Sequence, residues 1–196
     1  MSQSLFNFKT YRLQDWLSVY RLLAVPALLY TLLNRHERIF LALLAISLAT
    51  DGIDGLLARR QRQKSRRGAK LDTYGDLLTV PFMLASLLIF RPDFLAEQAV
   101  LLSILVGLYF LELGASMLRY GKPSSFHTYL DKISFILLGI FYFSFFLFGF
   151  IGWYFYFAMA VAILAELEEL ALVLRLPRWR SNVKGLYWVL QERRLQ

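Results

Sequence analysis

Cysteine is absent from the 196 residues, which excludes disulfides, thiolate nucleophiles and Cys-ligated zinc. Histidine is nearly absent too. His36 and His127 are two residues far apart in sequence, a poor basis for a His-built metal site. Charge is scarce: 18% of residues are Asp, Glu, Lys or Arg, against about a quarter in a soluble domain. In its place stand apolar residues, 58% of the chain, with 16% aromatic. They gather in runs of about twenty, the length needed for a helix to cross a hydrocarbon core. The runs do not alternate as barrel strands would, so the chain is expected to be an all-α integral membrane protein. The formal charge of +8 is then better read as basic loops facing anionic headgroups than as a nucleic-acid surface. The first apolar run starts after Arg21 and enters Asn34-Arg35-His36 without a small-x-small cleavage pattern, so no removed signal is expected.

Six spans are expected: Trp16 to Leu33, Ile39 to Ala58, Leu71 to Phe90, Ala96 to Leu118, Leu130 to Phe148 and Trp153 to Leu174. The last two form one nearly continuous stretch, divided at Gly149-Phe150-Ile151-Gly152 because only there is turn chemistry available. Of 22 Lys and Arg residues, only Arg35, Arg38 and Arg91 fall in the loops on one side, leaving nineteen on the other or near its ends. By the positive-inside rule, both termini and the loops after spans two and four are cytoplasmic. Residues 5–12 mix aromatics with cations and suit a short N-terminal interfacial helix. No internal repeat stands out, and residues 1–196 are read as one domain.

Against this background four carboxylates are out of place: Asp51, Asp54, Asp72 and Asp76, near the cytoplasmic ends of spans two and three. An ionised carboxylate in a span costs several kcal/mol, and four together repel one another. A divalent cation relieves both problems, since hard oxygen ligands suit Mg²⁺, Mn²⁺ or Ca²⁺. Solvated helix ends would explain any one of the four, but poorly all of them. Asp51, Asp54, Gly55 and Ala58 stand at i, i+3, i+4 and i+7, positions that share one helical face. Two carboxylates beside two residues with almost no side chain leave room for a ligand. Asp72 and Asp76 are i,i+4 with Gly75 adjacent. Such a set has the ligands for two metal ions, the arrangement that stabilises attacking and leaving oxygens in phosphoryl displacement. The connecting segment from Arg59 to Lys70 carries seven cations. Most are ordinary positive-inside charge, while Arg59, next to the small-residue face, is placed to meet a phosphate.

The series Asp51-x2-Asp54-Gly55-x2-Ala58-Arg59-x8-Gly68-x3-Asp72-x3-Asp76 resembles the full signature of the CDP-alcohol phosphotransferase family. A weaker similarity precedes it, Asp15-x-Leu17-Ser18-x2-Arg21-x4-Pro26, where the family usually has Asn and Thr in place of Asp15 and Ser18. The resemblance implies that Asp51, Asp54 and Asp72 bind metals holding the donor diphosphate. It implies that Asp76 is a metal ligand and also the catalytic base that deprotonates the acceptor hydroxyl. Ser18, Gly55, Ala58, Arg59, Ser65 and Gly68 are implied as donor-binding positions. Two divalent cations, Mg²⁺ or Mn²⁺, are the implied cofactors. The implied fold is six transmembrane helices, commonly dimeric, with a site open to the cytosol. A bacterial inner membrane is the expected location.

The expected reaction is transfer of a phosphatidyl group from CDP-diacylglycerol to a small polar alcohol, with release of CMP, in phospholipid biosynthesis. A reversed arrangement, CDP-choline or CDP-ethanolamine with diacylglycerol as acceptor, shares the motif, but such enzymes are usually longer. A carboxylate-lined metal or ion transporter would place its acids near the midplane. Arg119 and Lys122, with Ser124, Ser125, His127 and Lys132 nearby, are candidates for a phosphorylated acceptor. Ordinary loop charge accounts for them equally well. Glu112, inside span four, is expected to form an ion pair with Arg21 or Arg119. Glu166, Glu168 and Glu169 are expected to pair with Arg175 or to line a dimer interface.

Overall fold

Among the described residues each apolar run becomes a helix. The computed structural model describes residues 24–61, 81–124 and 126–194, and no strand occurs among them. The expected interfacial helix over residues 5–12, the first part of span one and the first ten residues of span three lie outside the described residues. The helices are α1 (Ala24–Leu33), α2 (Glu37–Gln61), α3 (Pro81–Phe90), α4 (Pro92–Glu97), α5 (Ala99–Tyr120), α6 (Tyr129–Phe148), α7 (Gly152–Arg175) and α8 (Leu186–Arg194). The chain divides into two compact units between Glu97 and Gln98.

In the first unit, α1 and α2 are joined by a tight reversal in which Arg35 takes φ 57°. The His36 amide donates to the Thr31 carbonyl at 2.8 Å, holding the turn closed. α2 runs for 25 residues, about 37 Å at 1.5 Å per residue, enough to cross a bilayer core. Its first half is anchored by Phe40, fully buried, whose ring meets Phe82 at 6.4 Å and Phe90 at 5.8 Å. One turn earlier, Glu37 accepts from both terminal nitrogens of Arg91 at 2.7 Å. This two-pronged pair joins the start of α2 to the end of α3, so the two helices run antiparallel at that end. Arg91 was expected as a simple loop cation. It is instead part of the unit's framework.

The second unit is organised around α7, which packs against both α5 and α6. Its buried stripe is Phe155, Ala158, Met159, Ala162, Ala165, Leu172 and Val173, spaced at three and four residues. Three alanines on that stripe allow close helix approach, the usual currency of packing where lipid removes the hydrophobic drive. The division of the long apolar stretch falls where turn chemistry placed it: α6 ends at Phe148, Gly149 takes φ 87°, and α7 begins at Gly152. Phe150 fills the turn, its ring 5.5 Å from Phe155 and 6.1 Å from Phe145. Tyr154 donates its hydroxyl to the Leu137 carbonyl at 3.0 Å.

Two differences from the expected spans are local. Span four does not begin at Ala96, because Pro92 and Asp93 start a separate six-residue helix that breaks at Gln98 (φ −102°, ψ 12°) before α5. Pro fits a first helical position and Asp a first turn. The chain also continues past the last span into α8, which was not anticipated. By length and apolar character α5 and α6 each suffice to cross a membrane. α2 and α7 match them in length and carry acidic residues. Outward positions such as Leu118 (92% exposed), Phe148 (79%) and Trp153 (75%) present apolar side chains of the kind that suit lipid.

Candidate active site

The site begins with α2. It is continuous through residues 51–61, so Asp51, Asp54, Gly55 and Ala58 occupy positions that share one face by helical phase. Asp51 lies about 21 Å along the axis from the Glu37–Arg91 clamp. The two aspartate positions therefore stand in the half of α2 remote from that clamp. The helix does not end at Ala58, as the apolar run suggested. It continues to Gln61, which places Arg59 and Arg60 in its last turn, where cations complement the helix dipole. Arg59 is one turn beyond Gly55 on the same helix.

Asp72, Asp76, Ser18, Ser65 and Gly68 lie outside the described residues. Among the described residues no three His, Cys, Asp or Glu side chains converge around a metal position. Four carboxylates at the motif positions are oxygen donors of the kind that suits a hard divalent cation, and residues lacking bulk stand one turn from Asp51 and Asp54.

The two acceptor candidates are brought together, but around protein groups. Arg119 donates through Nε to the Leu176 carbonyl at 3.2 Å, at the end of α7. Tyr120 reinforces the same carbonyl with its hydroxyl at 2.9 Å. Lys122 Nζ stands 3.7 Å from the centre of the Trp179 ring, a cation–π contact, and Trp179 Nε1 donates to the Pro123 carbonyl at 3.1 Å. Both cations help seat the segment that follows α7, and both remain exposed.

The acids of the second unit also differ from expectation. Among the described residues Glu112 forms no ion pair with Arg119, and Arg21, the other expected partner, lies outside them. Glu112 is 3% exposed, Ser124 is its polar neighbour, and its Oε1 has no hydrogen-bond partner among the described residues. Asp131 on α6 and Glu166 and Glu169 on α7 face it at electrostatic range. Glu169 also meets the backbone of Thr128. Glu168 accepts from the Leu186 amide at 2.9 Å, capping the first turn of α8. Pairing with Arg175 or lining a dimer interface was expected, and a helix start adds free N–H groups that a carboxylate also serves. Sequence reading missed this cap because α8 itself was missed. The pattern Leu186, Val189, Leu190 after Gly185 was its available signal.

An all-helical protein with apolar, span-length helices and an aspartate-bearing helix is thus defined before any comparison. A family model for CDP-alcohol phosphatidyltransferase matches residues 12–166, a stretch that includes every motif position, and the chain belongs to that family. Over 73 residues it is 40% identical to proteins named "Putative cardiolipin synthase" from Mycobacterium bovis and from two strains of Mycobacterium tuberculosis. That match covers 35% of this chain and 35% of each relative, so it spans about a third of their length. No solved structure matches the chain.

Proposed function

We propose that the chain transfers a phosphatidyl group from CDP-diacylglycerol to an alcohol and releases CMP, within a membrane it crosses six times. The observation that carries this reading is the unbroken α2, which sets Asp51, Asp54, Gly55 and Ala58 in one helical phase inside the family match.

Asp51, Asp54, Asp72 and Asp76 would hold two Mg²⁺ or Mn²⁺ ions. When bound, such ions neutralise charge on the donor diphosphate and on departing CMP. Gly55 and Ala58 admit the nucleotide by leaving space against the helix, with Ser18, Ser65 and Gly68 completing the donor site. Arg59 presents a planar fork to a phosphate. Asp76 takes the proton from the acceptor hydroxyl as its oxygen forms a bond to the phosphorus carrying diacylglycerol. The bond from that phosphorus to the CMP oxygen breaks, and the proton passes from Asp76 to solvent. No covalent intermediate on the protein is required. Both termini and the site face the cytoplasm in this reading, and the active form is a homodimer in a bacterial inner membrane.

Two classes of acceptor are open to the site. For a phosphorylated polyol the candidate residues are Arg119 and Lys122, both exposed. The names of the mycobacterial relatives point to cardiolipin synthesis, which calls for phosphatidylglycerol as acceptor. Purified protein incubated with CDP-diacylglycerol should release CMP with one acceptor in a panel of glycerol phosphate, inositol phosphate and phosphatidylglycerol. Release with none of them, but lipid formation from CDP-choline and diacylglycerol, would reverse the donor assignment.

A further inference from the structure

The segment after α7 is not a loose tail. It folds back over one end of the second unit, where α5 ends, α6 begins and α7 ends. Val183 donates its amide to the Phe126 carbonyl at 2.8 Å, and Lys184 accepts from the Tyr129 amide at 3.1 Å. Val183, Val189 and Leu176 are buried in one cluster with Phe126, Leu172 and Val173. Glu168 caps α8, so one side of this strap is fastened by backbone, carboxylate and core.

The opposite side is built differently. Tyr187 is 67% exposed, Trp188 39% and Tyr129 50%. Trp188 and Tyr129 meet edge to face at 5.6 Å, with Lys132 Nζ 5.7 Å from the Tyr129 ring. Residues 175–194 hold six cations, among them exposed Arg178 and Lys184, against one acid, Glu192, which Arg180 engages at 2.9 Å. Tyr129 opens α6, a span-length helix. The exposed aromatics therefore lie at the level where a bilayer core gives way to headgroups, the place Trp, Tyr and cations prefer. The whole strap lies beyond residue 166, where the family match ends.

We infer that residues 177–194 form a membrane-surface strap whose Tyr187–Trp188 edge sits in the headgroup layer while Arg178 and Lys184 select anionic lipid. The inference rests on the membrane reading above. Its partner is a lipid surface, since aromatic tips with flanking cations match an interface that is apolar below and negatively charged above.

The test uses the full chain in nanodiscs of phosphatidylcholine alone or mixed with phosphatidylglycerol, with Trp16→Phe and Trp153→Phe so that emission reports Trp179 and Trp188. In the anionic discs, acrylamide quenching should fall and quenching by lipid brominated near the headgroup should rise. Arg178→Gln with Lys184→Gln should remove most of that difference, each cation contributing on the order of fivefold to surface association. Equal acrylamide access in both discs, unchanged by the double variant, overturns the inference. So does protection that appears only with two copies per disc, accompanied by Tyr187→Cys cross-linking, because the face would then belong to a second copy. Carbonate extraction separates the two levels: a chain that resists carbonate but ignores anionic lipid loses only the strap proposal, and release by carbonate removes the membrane reading as well.

Discussion

The acids of the two units sit in similar apolar helices among different neighbours. In the first unit Asp51 and Asp54 lie on α2 in phase with Gly55 and Ala58, in a helix followed by a basic segment. In the second, Glu168 and Glu169 on α7 turn to backbone groups at Leu186 and Thr128, and Glu112 lies beside Ser124. An acid in a span is therefore not a catalytic signal by itself. Its neighbours differ: residues without bulk stand beside Asp51 and Asp54, whereas an adjacent helix start engages one oxygen of Glu168.

The sharpest break in this comparison is Asp51→Asn set beside Glu112→Gln. Loss of a motif carboxylate should lower CMP release by roughly a thousandfold or more, the scale of several kcal/mol of lost charge stabilisation. Glu112→Gln should leave it within a few-fold. Initial rates for the two variants check this, and equal losses would erase the distinction between the units. Next in size is Asp76→Asn, which keeps the side-chain shape but removes the proton acceptor. Turnover should fall roughly 10²-fold, while a donor titration shows CDP-diacylglycerol still bound. Asp51→Asn should lose binding and turnover together.

Ala58→Leu tests the small-residue face. Overfilling a packed site costs about 1–3 kcal/mol, so the donor concentration for half-maximal rate should rise between about fivefold and about 150-fold with the fold intact by thermal melting. Unchanged donor affinity would assign Gly55 and Ala58 to helix packing alone. The smallest effect on activity is expected from the α8 cap. Gly185 has φ 155°, and an added Cβ would stand 2.9 Å from Glu168 Oε1 and 3.1 Å from the Trp188 ring. Gly185→Ala should loosen the strap by about 1–3 kcal/mol, and Glu168→Gln by about 1 kcal/mol. Both should speed tryptic cleavage at Arg178, Arg180 or Lys184 while leaving CMP release within about twofold, as for changes remote from the chemistry.

How much of this was legible in the sequence follows from the same contrast. Family membership was readable because the motif fixes residue type and spacing along the chain, and Gly149 was readable because a reversal between two spans demands turn chemistry. Pairing was not readable. Glu37 and Arg91 are far apart in the chain and meet only after α2 and α3 pack side by side. Nothing in the sequence around Arg119 announced the Leu176 carbonyl 57 residues away that its Nε meets. α8 was passed over because nine residues containing one turn of apolar spacing carry little periodic signal, and its stability comes from the cluster it covers.

In the proposed reaction the motif carboxylates hold metal for the transfer, and CMP release by metal-stripped protein tests that most directly. The purified chain, treated with EDTA and then freed of it, should be inactive with CDP-diacylglycerol and its acceptor, and Mg²⁺ or Mn²⁺ should restore the rate in wild type but not in Asp72→Asn. Full turnover by the stripped protein in EDTA would contradict it.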